Sequence, residues 1–211
     1  MSEPRSPAAA SGDRFALQAV HVDGRLDGLL LRMRARQTYR NAAPHDIEAV
    51  YTFPLPSGAT LLGLAVEIAG RRLHGAVEAR SDAERSYEVA IDAGDLPVMV
   101  ERSGSGLYTA NLGNLKPGEQ AVIELEWAQL LRFEAGRLRL VVPTVIAARY
   151  GDPRQTGGLA VHQSAEHDVL ARYPFTIALE VLGEDARASI ASPSHAIRLE
   201  AIPDGVRVTV V

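Results

Sequence analysis

The sequence predicts an all-β, mostly antiparallel, sandwich-like module with one short α-helix. Apolar residues recur at every second position in a series of short runs, which is the periodicity of strands with two distinct faces. Glycine, proline and asparagine separate these runs at short intervals, as expected for hairpins and meanders rather than βαβ units. Helical spacing stands out in one stretch, at about residues 81–93.

Two strands are predicted before residue 42. The first covers Phe15–Val22 and ends at a turn formed by Asp23 and Gly24. One face of this strand is expected to carry Phe15, Leu17, Ala19 and His21. The second strand alternates over a longer run and ends at Asn41. Its apolar face is predicted to consist of Leu29, Leu31, Met33, Ala35, Gln37 and Tyr39.

The other face of the second strand carries a row of arginines, which leaves two interpretations open. The row consists of Arg32, Arg34, Arg36 and Arg40. It can bind an acidic partner or an anionic glycan, and glycan binding would then be lost at moderate salt. Alternatively, the arginines are solvated or paired with glutamates on a neighbouring strand, because antiparallel sheets commonly leave one face in water. We expect the second interpretation.

The third strand is the stretch around which the module is organised. A turn over residues 42–44 leads into it, and Pro44 removes a backbone donor there. Along the strand, Ile47, Ala49, Tyr51 and Phe53 alternate with Glu48, Val50 and Thr52. Pro54 and Pro56 end it, because proline cannot donate a hydrogen bond into a sheet. Tyr39, Tyr51, Phe53 and Tyr87 are expected in the core.

The next strands and the helix follow in quick succession. A turn at Ser57 and Gly58 leads into a strand that Gly70 ends, and a shorter strand covers Leu73–Glu78. The inner face of the longer strand is predicted to be Leu62, Leu64, Val66 and Ile68. The helix begins with the capping-box pattern Ser81-Asp82-Ala83-Glu84 and ends at Gly94. Its apolar stripe is Ala83, Tyr87, Ala90 and Ile91.

The remaining chain is predicted to form strands joined by turns and one long irregular connection. The strands are expected at Val98–Glu101, Leu107–Leu112, Ala121–Trp127, Leu138–Val142 and Phe175–Val181, then around Ile197–Leu199 and Val206–Val210. Lys116-Pro117-Gly118-Glu119 fits a type II turn, in which glycine supplies the positive φ. Asn41 and Asn114 are expected to bond nearby backbone in turns. Between residues 151 and 173 the periodicity fades.

Composition excludes several classes of protein. A net charge of −4 and a single lysine, Lys116, argue against binding to nucleic-acid phosphates. With 0 cysteines, the chain has no disulfide, thiolate metal site or cysteine nucleophile. No stretch approaches the roughly 20 apolar residues that span a bilayer. Residues 1–13 lack the apolar segment of a secretory signal, so we expect a disordered lead-in and leave the compartment open.

Two groups of ionisable residues are candidates for chemistry. His162, His167 and Asp168 fall in the irregular connection, where they are either a metal or acid–base cluster or simply exposed. Glu48 lies among apolar neighbours. It either forms a metal- or partner-binding carboxylate with His45 and Asp46, or pairs with Arg80 or Arg149 to lock its strand to a neighbour. No nucleophile elbow, His-Glu-x-x-His pair or dinucleotide fingerprint is present. We expect structural roles and no enzyme activity, with a metal-dependent or hydrolytic enzyme as the alternative.

The residues resemble the VIT (vault protein inter-alpha-trypsin inhibitor) domain family. The resemblance covers roughly residues 15–151 and continues more weakly to the end. The matching motifs are Gln37-Thr38-Tyr39-Arg40-Asn41, Ile47 to Pro56, Gly75 with Arg80, Ala83, Tyr87, Ala90 and Gly94, Gly113-Asn114-Leu115 with Pro117-Gly118, and Pro143-Thr144 with Arg149-Tyr150. Family members occur in inter-alpha-trypsin inhibitor heavy chains, in a vault-associated polymerase and in many bacterial proteins.

The resemblance implies a mostly antiparallel module without a catalytic role, a cofactor or a bound metal. Such a module usually precedes a von Willebrand type A domain, so we expect the N-terminal part of a bacterial protein of that kind, serving as an interaction or scaffold module. The implied domain covers residues 14–150, and residues 174–211 add strands to it before the type A domain. The motif residues implied to have structural or interaction roles are Gln37, Tyr39, Asn41, Glu48, Tyr51, Phe53, Pro54, Pro56, Arg80, Tyr87, Gly113, Asn114, Pro117, Gly118, Arg149 and Tyr150.

Overall fold

The computed structural model describes residues 15–75, 80–95, 98–103, 107–142 and 173–211. Within these ranges the chain forms one α-helix, α1 (Arg80–Asp92), and a short 3₁₀ turn at Gly183–Arg187. The strands are β1 (Phe15–Asp27), β2 (Leu30–Asn41), β3 (Ile47–Pro54), β4 (Ala59–Ile68), β5 (Arg71–His74), β6 (Val98–Ser103), β7 (Leu107–Leu115), β8 (Gln120–Leu130), β9 (Phe133–Glu134), β10 (Arg137–Leu138), β11 (Phe175–Leu182), β12 (Ile197–Ile202) and β13 (Gly205–Val210). The predicted all-β class is confirmed.

Most of these strands belong to two sheets. The large sheet has eight strands in the order β12-β13-β11-β1-β2-β8-β4-β5, and the small sheet has three in the order β3-β7-β6. β9 and β10 form a separate short hairpin. All pairs in the two sheets are antiparallel except β1 with β11, which run parallel from Val20 opposite Phe175 to Asp27 opposite Leu182.

The core lies between the inner faces of the two sheets. From β2, the predicted apolar face supplies Leu31, Met33, Ala35 and Tyr39, and from β8 the inner residues are Ala121, Ile123, Leu125 and Trp127. The small sheet contributes Phe53, Ala110, Leu112 and Leu115. Because the alternating side chains of β2 and β8 bury one face, their other face is left toward solvent.

The predicted turn at Asp23 and Gly24 is wrong, because β1 continues through both residues to Asp27. The chain turns instead at Gly28, which has a φ of +55°. Gly24 lies directly opposite Met33, and a Cβ at position 24 would overlap the Met33 sulfur. This glycine therefore permits a close approach within the sheet rather than a turn.

Two register shifts move side chains to the face opposite the predicted one. The β1–β2 register shifts between Leu17 and Ala19, so Val20 and Val22 are buried while His21 is exposed. The predicted common face of Phe15, Leu17, Ala19 and His21 is therefore wrong. A second shift, between Leu61 and Gly63 in β4, leaves Leu62 55% exposed instead of in the core. A bulge inserts one residue, which inverts the alternation beyond it.

Several element boundaries also differ from the prediction. The strand expected over Leu73–Glu78 is β5 at Arg71–His74 within the described residues. The strand expected over Leu138–Val142 is limited to β10, although Leu140 and Val142 pack against the core. The 3₁₀ turn was not predicted, since its Gly-Glu-Asp-Ala-Arg sequence has no apolar periodicity. By contrast, the helix and the alternation in β8 are where the sequence predicts them.

Some expectations fall outside the described residues. These include the lead-in of residues 1–13 and all but Tyr173 of the irregular connection. The proposed domain boundaries remain predictions. In the part of the chain that the structure describes, no helix is long and apolar enough to cross a membrane.

Candidate interaction surface

Asn41 connects two turns at one end of the core, and we call this contact the Asn41 junction. Its side chain is fully buried. Its Nδ2 donates to the carbonyl oxygens of Leu115 at 2.8 Å and His45 at 3.0 Å, and its Oδ1 accepts from the Ala43 N–H at 2.7 Å. The Gly118 N–H donates to the Asn41 carbonyl, and the Asn41 N–H donates to Glu119, at 2.9 Å each. The side chain thus satisfies buried backbone groups that would otherwise lack partners.

The residues around this junction explain the neighbouring motif positions. Gly118, after Pro117, has a φ of +75°, which is the conformation that the predicted type II turn requires. Asn114 has a φ of +53°, and its Nδ2 donates to the carbonyl oxygens of Asp95 at 2.8 Å and Ile91 at 3.2 Å. Asn114 therefore ties β7 to the C-terminal end of α1, where helix carbonyls lack partners within the helix.

Other predicted motif residues belong to the core or its rim. Tyr39 and Phe53 are buried, and the Tyr39 hydroxyl donates to Gln37 Oε1 at 3.0 Å. The ring of Phe53 stacks on Tyr108 with centroids 5.5 Å apart. Pro54, Pro56 and Tyr87 are half-buried. These positions support packing, as expected for aromatic residues on inner strand faces.

The Glu48 hypothesis remains a prediction. Glu48 is the single β3 residue between the pairs Ile47–Leu115 and Ala49–Leu112, opposite Gly113 and Asn114 in β7. The side chains of Glu48, Tyr51 and Arg80, and all of Arg149 and Tyr150, lie outside the described residues. So do His162, His167 and Asp168, while His45 and Asp46 are exposed. Over the described ranges, no three His, Asp or Glu side chains are grouped so as to hold a metal ion.

The outer face of the large sheet, which we call the charged face, carries cross-strand ion pairs. Arg34 Nε donates to Glu126 Oε1 at 2.8 Å, and Arg36 lies 3.9 Å from Glu67. Further pairs join Arg72 to Glu124 at 2.6 Å and Arg207 to Glu180 at 2.8 Å. For Arg34 and Arg36, the expected pairing with glutamates on neighbouring strands is confirmed.

In three of these pairs, the contact shifts the pKa of one partner in the direction that favours its charged form. The hydrogen bond from Arg72 is the largest influence on Glu124 and lowers the pKa of its carboxyl, although partial burial opposes the shift. The hydrogen bond to Glu126 raises the pKa of Arg34, and the one to Glu180 raises the pKa of Arg207. These shifts favour the charged forms of Arg34, Glu124 and Arg207, so their ion pairs are present at neutral pH.

Some arginines on this face form no ion pair with the described residues, and two of them lie opposite each other. Arg25 in β1 lies directly opposite Arg32 in β2, and neither forms an ion pair with the residues that the structure describes. Both line a shallow open groove of about 570 Å³. Trp127 also borders this groove, but its ring belongs to the core and its indole N–H is buried, so it is not part of the exposed surface. The groove thus presents two neighbouring guanidinium groups without ion-pair partners, beside the carboxylates of Glu126 and Glu180, which bond Arg34 and Arg207 instead.

Adjacent guanidinium groups are suited to carboxylates. Each guanidinium presents a planar fork of donors that fits a carboxylate in a two-point contact, and two forks side by side accommodate neighbouring acidic residues. The sequence pointed to Arg32 as part of the arginine row but missed Arg25, because the predicted turn placed Arg25 outside a strand. The signal available was the alternation of Asp23, Arg25 and Asp27 with Val22, Gly24 and Leu26.

Comparison with known proteins gives the family context. The family model described as "Vault protein inter-alpha-trypsin domain" matches residues 17–127. The mouse "Protein mono-ADP-ribosyltransferase PARP4" is 24% identical over 191 residues, which are 90% of this chain and 10% of that protein. The human "von Willebrand factor A domain-containing protein 5A" is 28% identical over 137 residues, 64% of this chain and 17% of that protein.

Solved structures add only a distant likeness. The M1 zinc metallopeptidase from Deinococcus radiodurans is 15% identical with a TM-score of 0.44, and the match covers 93% of this chain and 38% of the peptidase. A likeness at this level supports no inference about function. The chain spans only a small part of each curated relative, 10% and 17% in the two examples.

Proposed function

Since the chain belongs to the vault protein inter-alpha-trypsin (VIT) domain family, we propose that it is a non-catalytic protein-interaction module that works beside a von Willebrand type A domain. The family match and the relatives named for type A domains support an interaction module in general. The partner and the absence of catalysis are parts of this proposal.

The cross-strand pair of Arg25 and Arg32 is the observation that carries the proposed binding site. Like charges placed directly opposite each other on neighbouring strands are destabilising, so the sheet is not stabilised by this pair. Carboxylates from a partner would relieve the repulsion and supply acceptors for both guanidinium groups. We therefore assign the groove around these arginines as the contact site for an acidic segment of a partner protein.

The surrounding charges favour a protein over an anionic glycan. Glu126 and Glu180 also line the groove. Glu124 is on the same face, 3.9 Å from Arg34, which also pairs with Glu126. A uniformly negative polymer that followed the arginine row would approach these carboxylates, whereas a protein surface can match both signs of charge. The ion pairs of Arg34 and Arg36 further reduce the positive charge available to a polyanion.

Affinity capture with the purified full chain tests this proposal. The informative variant reverses both charges, Arg25→Glu with Arg32→Glu, and the matched control reverses two exposed arginines away from the groove, Arg71→Glu with Arg139→Glu. We expect a protein partner that binds the wild type and the control but not the groove variant, and whose binding weakens as salt is raised. Equal recovery of partners by all three proteins would contradict the proposed site.

A heparin column distinguishes the glycan alternative. Under the proposal, the wild type and both variants elute together at low salt. The reason is that Arg34 and Arg36 are neutralised by glutamates, so the arginine row does not form a binding site for a polyanion. Retention of the wild type to moderate salt, with early elution of the groove variant alone, would instead assign the groove to an anionic glycan.

A further inference from the structure

The large sheet ends in two very different strands among the residues that the structure describes. At one edge, β5 is four residues long and begins with Arg71 and Arg72. Short, charged edge strands are a common means of preventing further pairing. At the other edge, β12 is six residues long, and its residues are exposed except at the two ends. Leu199, at its centre, is 50% exposed.

The ladder between β12 and β13 determines which backbone groups point outward. Ala196 and Val211 extend the register of Ile197 opposite Val210, and the Val211 N–H donates to the Ala196 carbonyl at 3.0 Å. Antiparallel pairs alternate between bonded and non-bonded positions, so Arg198 and Glu200 direct their backbone groups toward β13. The N–H and C=O groups of Ile197, Leu199 and Ala201 therefore point to the open edge.

We propose that β12 pairs with β12 of a second copy of this chain, antiparallel and about a two-fold axis at Leu199. In this register Leu199 faces Leu199 of the other copy, and Ile197 faces Ala201, so the outward backbone groups of all three positions find partners. Arg198 faces Glu200 of the other copy, and the symmetry repeats this contact. Opposite charges thus meet at the non-bonded pairs, where side chains are closer.

Neighbouring registers are much less favourable. Moving the axis to Arg198 places Arg198 opposite Arg198, and moving it to Glu200 places two glutamates opposite each other. A shift of one residue would bring charged and apolar side chains onto the same face. A parallel arrangement in register also stacks like charges. The charge sequence of β12 therefore selects one antiparallel register, which is the behaviour of a self-complementary two-fold interface.

This contact goes beyond the proposed function, because it involves neither the charged groove nor an acidic partner. It commits to a second copy because β12 is complementary to itself, with Arg198 and Glu200 exchanged by the symmetry. Neither residue forms an ion pair with another described residue, although Glu200 lies opposite Arg207 of β13, which bonds Glu180.

Charge-reversal pairs test the inference in the full chain. Arg198→Glu alone and Glu200→Arg alone each place like charges at both symmetric contacts, so we expect each variant to dimerise about tenfold more weakly or worse. An equimolar mixture of the two variants restores both attractive contacts, so a mixed dimer should form. Sedimentation over a concentration series measures the first effect, and native mass spectrometry measures the second. Arg71→Glu, on the opposite edge, should dimerise like the wild type.

Several results would overturn this proposal. One such result is a wild type that stays monomeric at every concentration tested. Others are single variants that dimerise as tightly as the wild type, or an equimolar mixture of the two variants that forms no dimer. Hydrogen exchange provides a measurement that needs no variant. In the dimer, the amides of Leu199 and Ala201 should become protected as concentration rises, while those of Arg198 and Glu200 should be protected throughout. Protection of Leu199 that is independent of concentration would show that another segment covers the edge.

Discussion

The Asn41 junction and the charged face use polar groups in opposite ways. The junction buries one neutral side chain completely and uses each of its polar atoms on backbone groups. The charged face exposes many ionised side chains, whose contacts form between groups that water can also solvate. Both regions involve strand β2, but Asn41 lies at its buried end and the arginines lie on its solvent face.

This difference teaches that burial, not charge, decides how much a polar residue contributes to the fold. A buried group that loses its partner keeps its full desolvation penalty, whereas an exposed ion pair that is broken is replaced by water. The charged face can therefore exchange partners at little expense to stability, and the junction cannot. A binding surface belongs on the former.

We expect the largest effect from Asn41→Ala. Three backbone groups would lose their partners, and two of these hydrogen bonds are fully buried, so the free energy of unfolding should fall by about 3 kcal/mol. Urea denaturation of the full chain measures this change. A loss below about 1 kcal/mol would mean that the junction is no more important than the exposed pairs.

A smaller effect is expected from Asn114→Gly. Glycine retains the positive φ at this position, so the substitution removes only the side-chain bonds to the end of α1. Because this site is only half-buried, the free energy of unfolding should fall by about 1 kcal/mol. Hydrogen exchange should be faster in the last turn of α1 and unchanged in β2. Faster exchange in both elements would contradict a local role.

The smallest effect is expected from Glu124→Gln on the charged face. Since the pKa of Glu124 is lowered in the folded protein, its ion pair stabilises the fold above about pH 4.3, the ordinary pKa of a glutamate, and this contribution disappears as the pH falls through the lowered pKa. At pH 7 the variant should lose at most about 1 kcal/mol.

The pH dependence supplies the control for Glu124. The stability difference between wild type and Glu124→Gln should vanish in acid, while Glu134→Gln, at an exposed residue without an ion pair among the described residues, should match the wild type at every pH. Urea denaturation between pH 3 and pH 7 measures both differences. A difference for Glu124→Gln that persists in acid would show that its contribution is not electrostatic.

Local periodicity predicted most of the described strands and helix α1, but not the bulges within the strands. The inner faces of β2 and β8 follow unbroken alternation and were predicted correctly. The errors at His21 and Leu62 both follow a register shift, and whether a strand contains a bulge depends on its partner strand. The turn predicted at Gly24 was wrong for the same reason, because the role of this glycine depends on Met33 in the neighbouring strand.

The candidate site was predictable only in part. The arginine row is visible in the sequence of β2, and its pairing with glutamates follows from ordinary sheet chemistry. The proximity of Arg25 to Arg32 depends on the cross-strand register beyond a bulge, which no local pattern reveals. The charge order that makes β12 complementary to itself can be read from its sequence. The position of β12 at the edge of the sheet cannot, because it depends on the order of the strands.

The parallel pairing of β1 with β11 has a consequence for how the chain is made. Val20 pairs with Phe175, which is synthesised much later. At roughly 5–20 residues per second, the delay is on the order of ten seconds. The nascent hairpin of β1 and β2 can form at once, but one side of β1 stays bare during this interval. Slow closure of such distant contacts exposes the growing chain to misassociation. We therefore expect translation speed and chaperone access to affect the yield of the folded protein.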